Sequence, residues 1–142
     1  MDDVLINKAA IIERCVKRVR EEYFFDPATF SQNYTRQDAA ILNIQRACEA
    51  ALDMGQYLIR REKLGVPQSA RDVFDLLVAD SWMPATLAGG LKRMVGFRNI
   101  AVHDYQTLQL PIAIAVITIH LDEFLQYSQI LLLEHERRLR LK

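Results

Sequence analysis

Leu110-Pro111-Ile112-Ala113-Ile114-Ala115-Val116-Ile117-Thr118-Ile119 is the stretch on which the fold class turns. Its β-branched residues favour a strand on propensity, yet no second strand-like segment exists in the chain to pair with it, and a lone strand is not stable. The stretch therefore reads as the start of a helix. Pro111 suits a first turn, where its missing N–H costs nothing, and Val116, Leu121, Phe124, Leu125, Leu131 and Leu132 carry the pattern to about Arg140. The first half is apolar on nearly every face. In a domain this small such a helix must be buried on more than one side, most easily by a partner subunit, so a homodimer is expected.

Upstream of this helix the apolar residues recur at three- and four-residue steps almost throughout. From about Val4 to Glu22 they are Leu5, Ala9, Ile12, Cys15, Val16 and Val19, with Arg14, Lys17, Arg18 and Arg20 interleaved. Asp26-Pro27 marks a loop. Thr35-Arg36-Gln37-Asp38 offers a Thr N-cap with an acid three residues on, opening a second helix to about Lys63. Gly65-Val66-Pro67 breaks the pattern, and Ser69 with Asp72 caps a short helix through Val73, Leu76 and Leu77. A fourth begins near Pro84 and runs through Leu87, Leu91, Met94 and Val95. Gly89-Gly90 weakens it by roughly 1 kcal/mol per Gly relative to Ala, but permits close packing of a neighbouring helix. The expectation is an all-α fold, an antiparallel helical bundle of about five helices in a single domain spanning residues 1–142.

Composition narrows the function classes. The chain has 142 residues, of which 51% are hydrophobic, enough for one sizeable core, and no Gly/Ser-rich tract divides it. The run from Leu110 to Ile119 is far short of a membrane span, and Met1-Asp2-Asp3-Val4 has no secretory signature, so a cytoplasmic protein without a membrane partner is expected. Cys15 and Cys48 sit within helical patterns and read as reduced packing residues. His120 and His135 have no companion ligands at metal spacing, and neither a metal site nor a cofactor is expected. No phosphate-cradling glycine loop or serine-hydrolase elbow is present. The formal net charge of zero does not advertise a broad basic surface for nucleic acid; a local patch of Lys92, Arg93 and Arg98 would have to serve.

The chemistry concentrates in Arg98-Asn99-Ile100-Ala101-Val102-His103-Asp104-Tyr105. A guanidinium clamps a phosphate with paired hydrogen bonds, and an imidazole exchanges protons near neutral pH. On an ideal helix residues five apart lie about 140° from each other, so Arg98 and His103 converge only where the helix ends or bends. Asn99, four residues before His103, would share its face and orient it. His120 lies on the last helix. Asp104 could orient a neighbour or be solvated, and Tyr105 by spacing alone could be a rim-of-core tyrosine with its hydroxyl in water.

The string Arg-x4-His-x-Tyr, with Leu91-Lys92-Arg93-Met94-Val95-Gly96 before it and the long apolar helix after it, resembles the signature of the HepT branch of the HEPN superfamily. Its members are small helical ribonuclease toxins paired with an MntA-type nucleotidyltransferase antitoxin. The resemblance covers most of the chain. It implies a metal-independent endoribonuclease acting on tRNA or mRNA in a type VII-like toxin–antitoxin module. Arg98 and His103 would be catalytic, Asn99 supporting, and Lys92 and Arg93 weak RNA contacts. The expected product is a 2′,3′-cyclic phosphate. Tyr105 would be the site at which the antitoxin attaches AMP, within a homodimer or a larger complex with the antitoxin. The alternative is a noncatalytic helical subunit that binds nucleotide or RNA beside a nucleotidyltransferase.

Overall fold

The computed structural model describes residues 2–99 and 110–142, and among these it is helical throughout, as the sequence reading expects. Helix α1 spans Asp3–Phe24, α2 Tyr34–Glu62, α3 Ala70–Ala79 and α4 Ala85–Met94. The last helix, α5, runs unbroken over Leu110–Arg140. Within it one π turn, Val116–His120, separates Leu110–Ala115 from Leu121–Arg140.

Local chemistry fixes the ends. Asp2 Oδ1 accepts the N–H groups of Val4 and Leu5 at 3.0 and 3.2 Å, capping α1. Asn33, not Thr35, caps α2: its Oδ1 accepts the Arg36 N–H at 3.1 Å, which places Thr35 inside the first turn. An Asn two positions earlier reaches the orphan N–H groups just as well, and the short 3-10 turn Phe30–Gln32 delivers it there. Ser69 and Asp72 behave as expected, Ser69 Oγ accepting the Asp72 N–H and Asp72 Oδ2 accepting the Gln68 N–H. Pro84 is the N-cap of α4, one residue outside the helix.

α1 and α2 form an antiparallel hairpin whose ends are tied by Asp2 to Tyr57 and by Glu22 to Arg36. α5 lies across α1, α2 and α4 and seals the core. Its Tyr127 is wholly buried and donates to the Ala51 carbonyl at 2.7 Å, with the Phe74 ring edge-on at 5.6 Å. Gly55 makes this junction possible, since a Cβ there would lie 2.6 Å from Val73 Cγ1. Gly90 plays the same part between α4 and α5, where the Glu123 carboxylate occupies the space of a side chain. Trp82 is a buried anchor: its indole donates to Asp80, and the Arg138 guanidinium lies 4.1 Å above its ring. Both cysteines are free and buried.

Only the inner side of α5 is covered. Ala113, Val116, Ile117, Leu121 and Phe124 are buried, while Ile112 and Ile119 are 56% and 69% exposed. The expectation that no segment reaches membrane-spanning length took the apolar run to end at Ile119. Because the helix continues, its most apolar 18-residue window averages a hydropathy of 1.3, and by length and composition it passes the test for a span. A third of that window is buried within the chain, so one face of α5 packs into the core while residues such as Ile112 and Ile119 stay exposed.

Candidate active site

Beyond Met94 the helical backbone tightens into a 3-10 turn, Val95–Asn99. Met94, Val95 and Phe97 are buried against α2, the Gln45 amide donates to the Phe97 carbonyl at 3.0 Å, and Cys48 Sγ contacts the Met94 carbonyl at 3.5 Å. With these three apolar side chains drawn inward, Gly96 between them and Arg98 just after them are left outward. Arg98 Nε lies 3.0 Å from Glu49 Oε1, with both side chains substantially in water. An exposed pair of this kind is worth about 0–1 kcal/mol, so an incoming phosphate can take the place of the carboxylate.

Arg98 is one wall of a groove of about 940 Å³ that runs between α1 and α2. Lys8, Arg14, Arg18 and Arg46 also line it, against two acids, Glu49 and Asp53. Beneath Arg98 the Cys48 thiol is pushed up to about 12, first by burial and then by the neighbouring Glu49 charge, outweighing Arg98 and Arg71. It is a protonated packing group rather than a nucleophile. Burial likewise raises the Cys15 thiol on the groove floor, against the pull of Arg14 and Arg46. The basic wall belongs to residues that the sequence reading did not single out as a site, because they come from α1 and α2, well upstream of Arg98 in the chain.

The three cations grouped by sequence do not share a surface. Lys92 is directed to α3, where it pairs with Asp75 at 2.8 Å while its carbonyl accepts from Arg71. Arg93 lines a different, smaller cavity of about 360 Å³ with Met94, Phe97, Pro111 and His120. Asn99 closes the 3-10 turn. His103, Asp104 and Tyr105 lie outside the described residues. His120, which lies on the last helix as the sequence reading places it, sits at the end of the π turn with its Nδ1 3.5 Å from Glu123 Oε1. Among the described residues no group of three His, Cys, Asp or Glu side chains is placed to hold a metal ion.

Three comparisons with known proteins agree. The family model described as "Ribonuclease HepT-like" matches residues 12–131. The mRNA nuclease HepT of Shewanella oneidensis is 47% identical over 131 residues, covering 92% of this chain and 98% of that protein. A crystal structure of a variant MntA–HepT toxin–antitoxin complex superposes with a TM-score of 0.85 at 46% identity, covering 91% of this chain and 97% of the other. A structure of the tri-AMPylated Shewanella oneidensis HEPN toxin with its MNT antitoxin gives a TM-score of 0.84 at 47% identity, covering 92% and 97%.

Proposed function

This chain belongs to the HepT-like ribonuclease family, and on that premise we propose that it is the toxin of a type VII-like toxin–antitoxin pair, an endoribonuclease cutting mRNA or tRNA in the cytoplasm. The observation that carries the reading is the 47% identity to an mRNA nuclease over nearly the whole of both chains. An arginine held loosely at the wall of a basic groove supports it.

In the proposed reaction the RNA 2′-oxygen attacks the adjacent phosphorus, the bond to the 5′-oxygen breaks, and a 2′,3′-cyclic phosphate is left. The 2′-hydroxyl proton goes to a base and the 5′-oxygen receives one from an acid; His103 serves in this exchange, with Asn99 supporting it. Arg98 exchanges Glu49 for the scissile phosphate and stabilises the charge that builds on its oxygens, so no metal is required. One imidazole fills only one proton-transfer role at a time. A homodimer covering the exposed Ile112 and Ile119 face of α5 would supply a second His103. An MNT-type nucleotidyltransferase silences the toxin by transferring AMP from ATP to the Tyr105 hydroxyl, which loses its proton as pyrophosphate leaves; Tyr105 is seven residues from Arg98, and the added anion competes with RNA for that guanidinium.

The test is cleavage of total RNA in EDTA before and after treatment with an MNT-type nucleotidyltransferase and ATP. Cleavage is expected before treatment and not after, with mass spectrometry locating AMP on Tyr105, while Tyr105→Phe cleaves in both conditions. Cleavage that EDTA abolishes, or nucleotide attached elsewhere, would contradict the proposal.

A further inference from the structure

We propose that the groove between α1 and α2 is the track on which single-stranded RNA lies as it approaches Arg98, with Arg14 and Arg46 gripping its phosphates. This rests on the ribonuclease reading and extends it to the route of the substrate.

The antiparallel hairpin brings together charges that are remote in sequence. At one end Lys8 pairs with Asp53 at 3.4 Å, and at the other Arg18 is occupied by Glu22 at 3.0 Å. Between them stand Arg14 on α1 and Arg46 on α2, both exposed and both close enough to Cys15 to act on its thiol. Among the described residues neither has an ion-pair partner, whereas most other arginines of the chain do. A chain of zero net charge thus keeps two unneutralised guanidiniums, one from each helix, lining one groove that Arg98 also lines. Guanidiniums left open in this way are suited to phosphate, which they bind bidentately, and each phosphate neutralised releases counterions. The rest of the lining is mostly apolar, with Ile11, Ala39, Leu42 and Ala50 beside Asn43 and Gln45, a surface against which base faces can shed water. From Lys8 to Arg18 is ten residues of helix, about 15 Å, long enough for a few nucleotides of a single strand. An acidic protein segment would satisfy the same charges. The continuity with Arg98 favours RNA, because the groove then leads to the group that handles the scissile phosphate.

The experiment uses the full-length protein and a short fluorescent 2′-O-methyl oligonucleotide, which lacks the attacking hydroxyl. Binding is followed by anisotropy across a salt series, beside cleavage of the unmodified RNA. For Arg14→Ala/Arg46→Ala the expected results are a Kd raised roughly tenfold, a salt slope smaller by about 1.4, and a raised KM with kcat near wild type. Arg14→Lys/Arg46→Lys keeps most of the affinity and the slope, and Arg140→Ala, remote from the groove, changes neither. Both arginines are exposed, so unchanged melting curves will accompany these effects. If the double alanine variant binds RNA like wild type while wild type cleaves, the track is refuted and the ribonuclease reading stands. The same holds if it loses only the nucleotidyltransferase or changes only its sedimentation, since the groove then serves a protein. Wild-type protein that neither binds nor cleaves RNA overturns both.

Discussion

The substitution Gly55→Ala tests the packing that fixes the bundle. A methyl group there would sit 2.6 Å from Val73 Cγ1, 2.8 Å from the Tyr127 hydroxyl and 3.2 Å from Leu77 Cδ1. Unstrained contacts between such atoms are about 3.5–4.0 Å, so α2 must move away from both α3 and α5. Overpacking of this kind costs about 1–3 kcal/mol. Displacing the Tyr127 hydroxyl from the Ala51 carbonyl adds about 1 kcal/mol, and the better helix propensity of Ala returns about 1 kcal/mol. The net loss of about 1–3 kcal/mol corresponds to a Tm lower by about 3–10 °C in thermal unfolding followed by circular dichroism. Tyr127→Phe removes one of the two colliding atoms, so the double variant should lose less than the sum of the single ones. Gly89→Ala is the control: the nearest atom to its added methyl is Arg93 Nη1 at 3.8 Å, and the substitution should raise stability by up to about 1 kcal/mol. A Gly55→Ala protein that melts with or above wild type would refute the close approach of the three helices.

Other outcomes follow from the same contacts. Arg98→Ala should lower kcat for RNA cleavage by at least a hundredfold while shifting stability by less than about 1 kcal/mol, because its only described partner is the exposed Glu49 carboxylate. Arg138→Ala removes the cation over Trp82 and the pairs with Asp80 and Glu134, and should cost about 1–2 kcal/mol in chemical denaturation. The Glu134 carboxyl is held down to about 2, chiefly by its hydrogen bonds from Arg137 and Arg138. Its folded value lies below the unfolded one, so its stabilisation is present above about pH 4.5 and disappears as pH falls towards 2. Glu134→Gln should flatten that part of the Tm-against-pH curve, and an unchanged curve would exclude the contribution.

The helices were legible because each carries apolar residues at helical spacing, and α2 and α3 in addition have a capping residue at the start. The Thr35 cap was misplaced by two residues because an Asn just after a short 3-10 turn competes equally well for the free N–H groups. The π turn at Val116–His120 has no signature in a uniformly β-branched run, whose residues read alike whether the backbone closes four or five residues back. The site was only partly legible. Residues near Arg98 in sequence were grouped with it, yet Lys92 and Arg93 leave α4 in other directions, towards Asp75 and towards His120. The cations that line its groove, Arg14 and Arg46, come from helices that only tertiary packing brings together with it, and a net charge of zero gave no hint of them.

The most direct test of the account is the cleavage of purified RNA, in EDTA, by wild type and by Arg98→Ala and His103→Ala, with chemical identification of the new ends. The account predicts that wild type leaves 2′,3′-cyclic phosphate ends and that both variants, folded and able to bind RNA, leave the substrate intact. Undiminished cleavage by either variant, or RNA left whole by wild-type protein free of nucleotide on Tyr105, would contradict it.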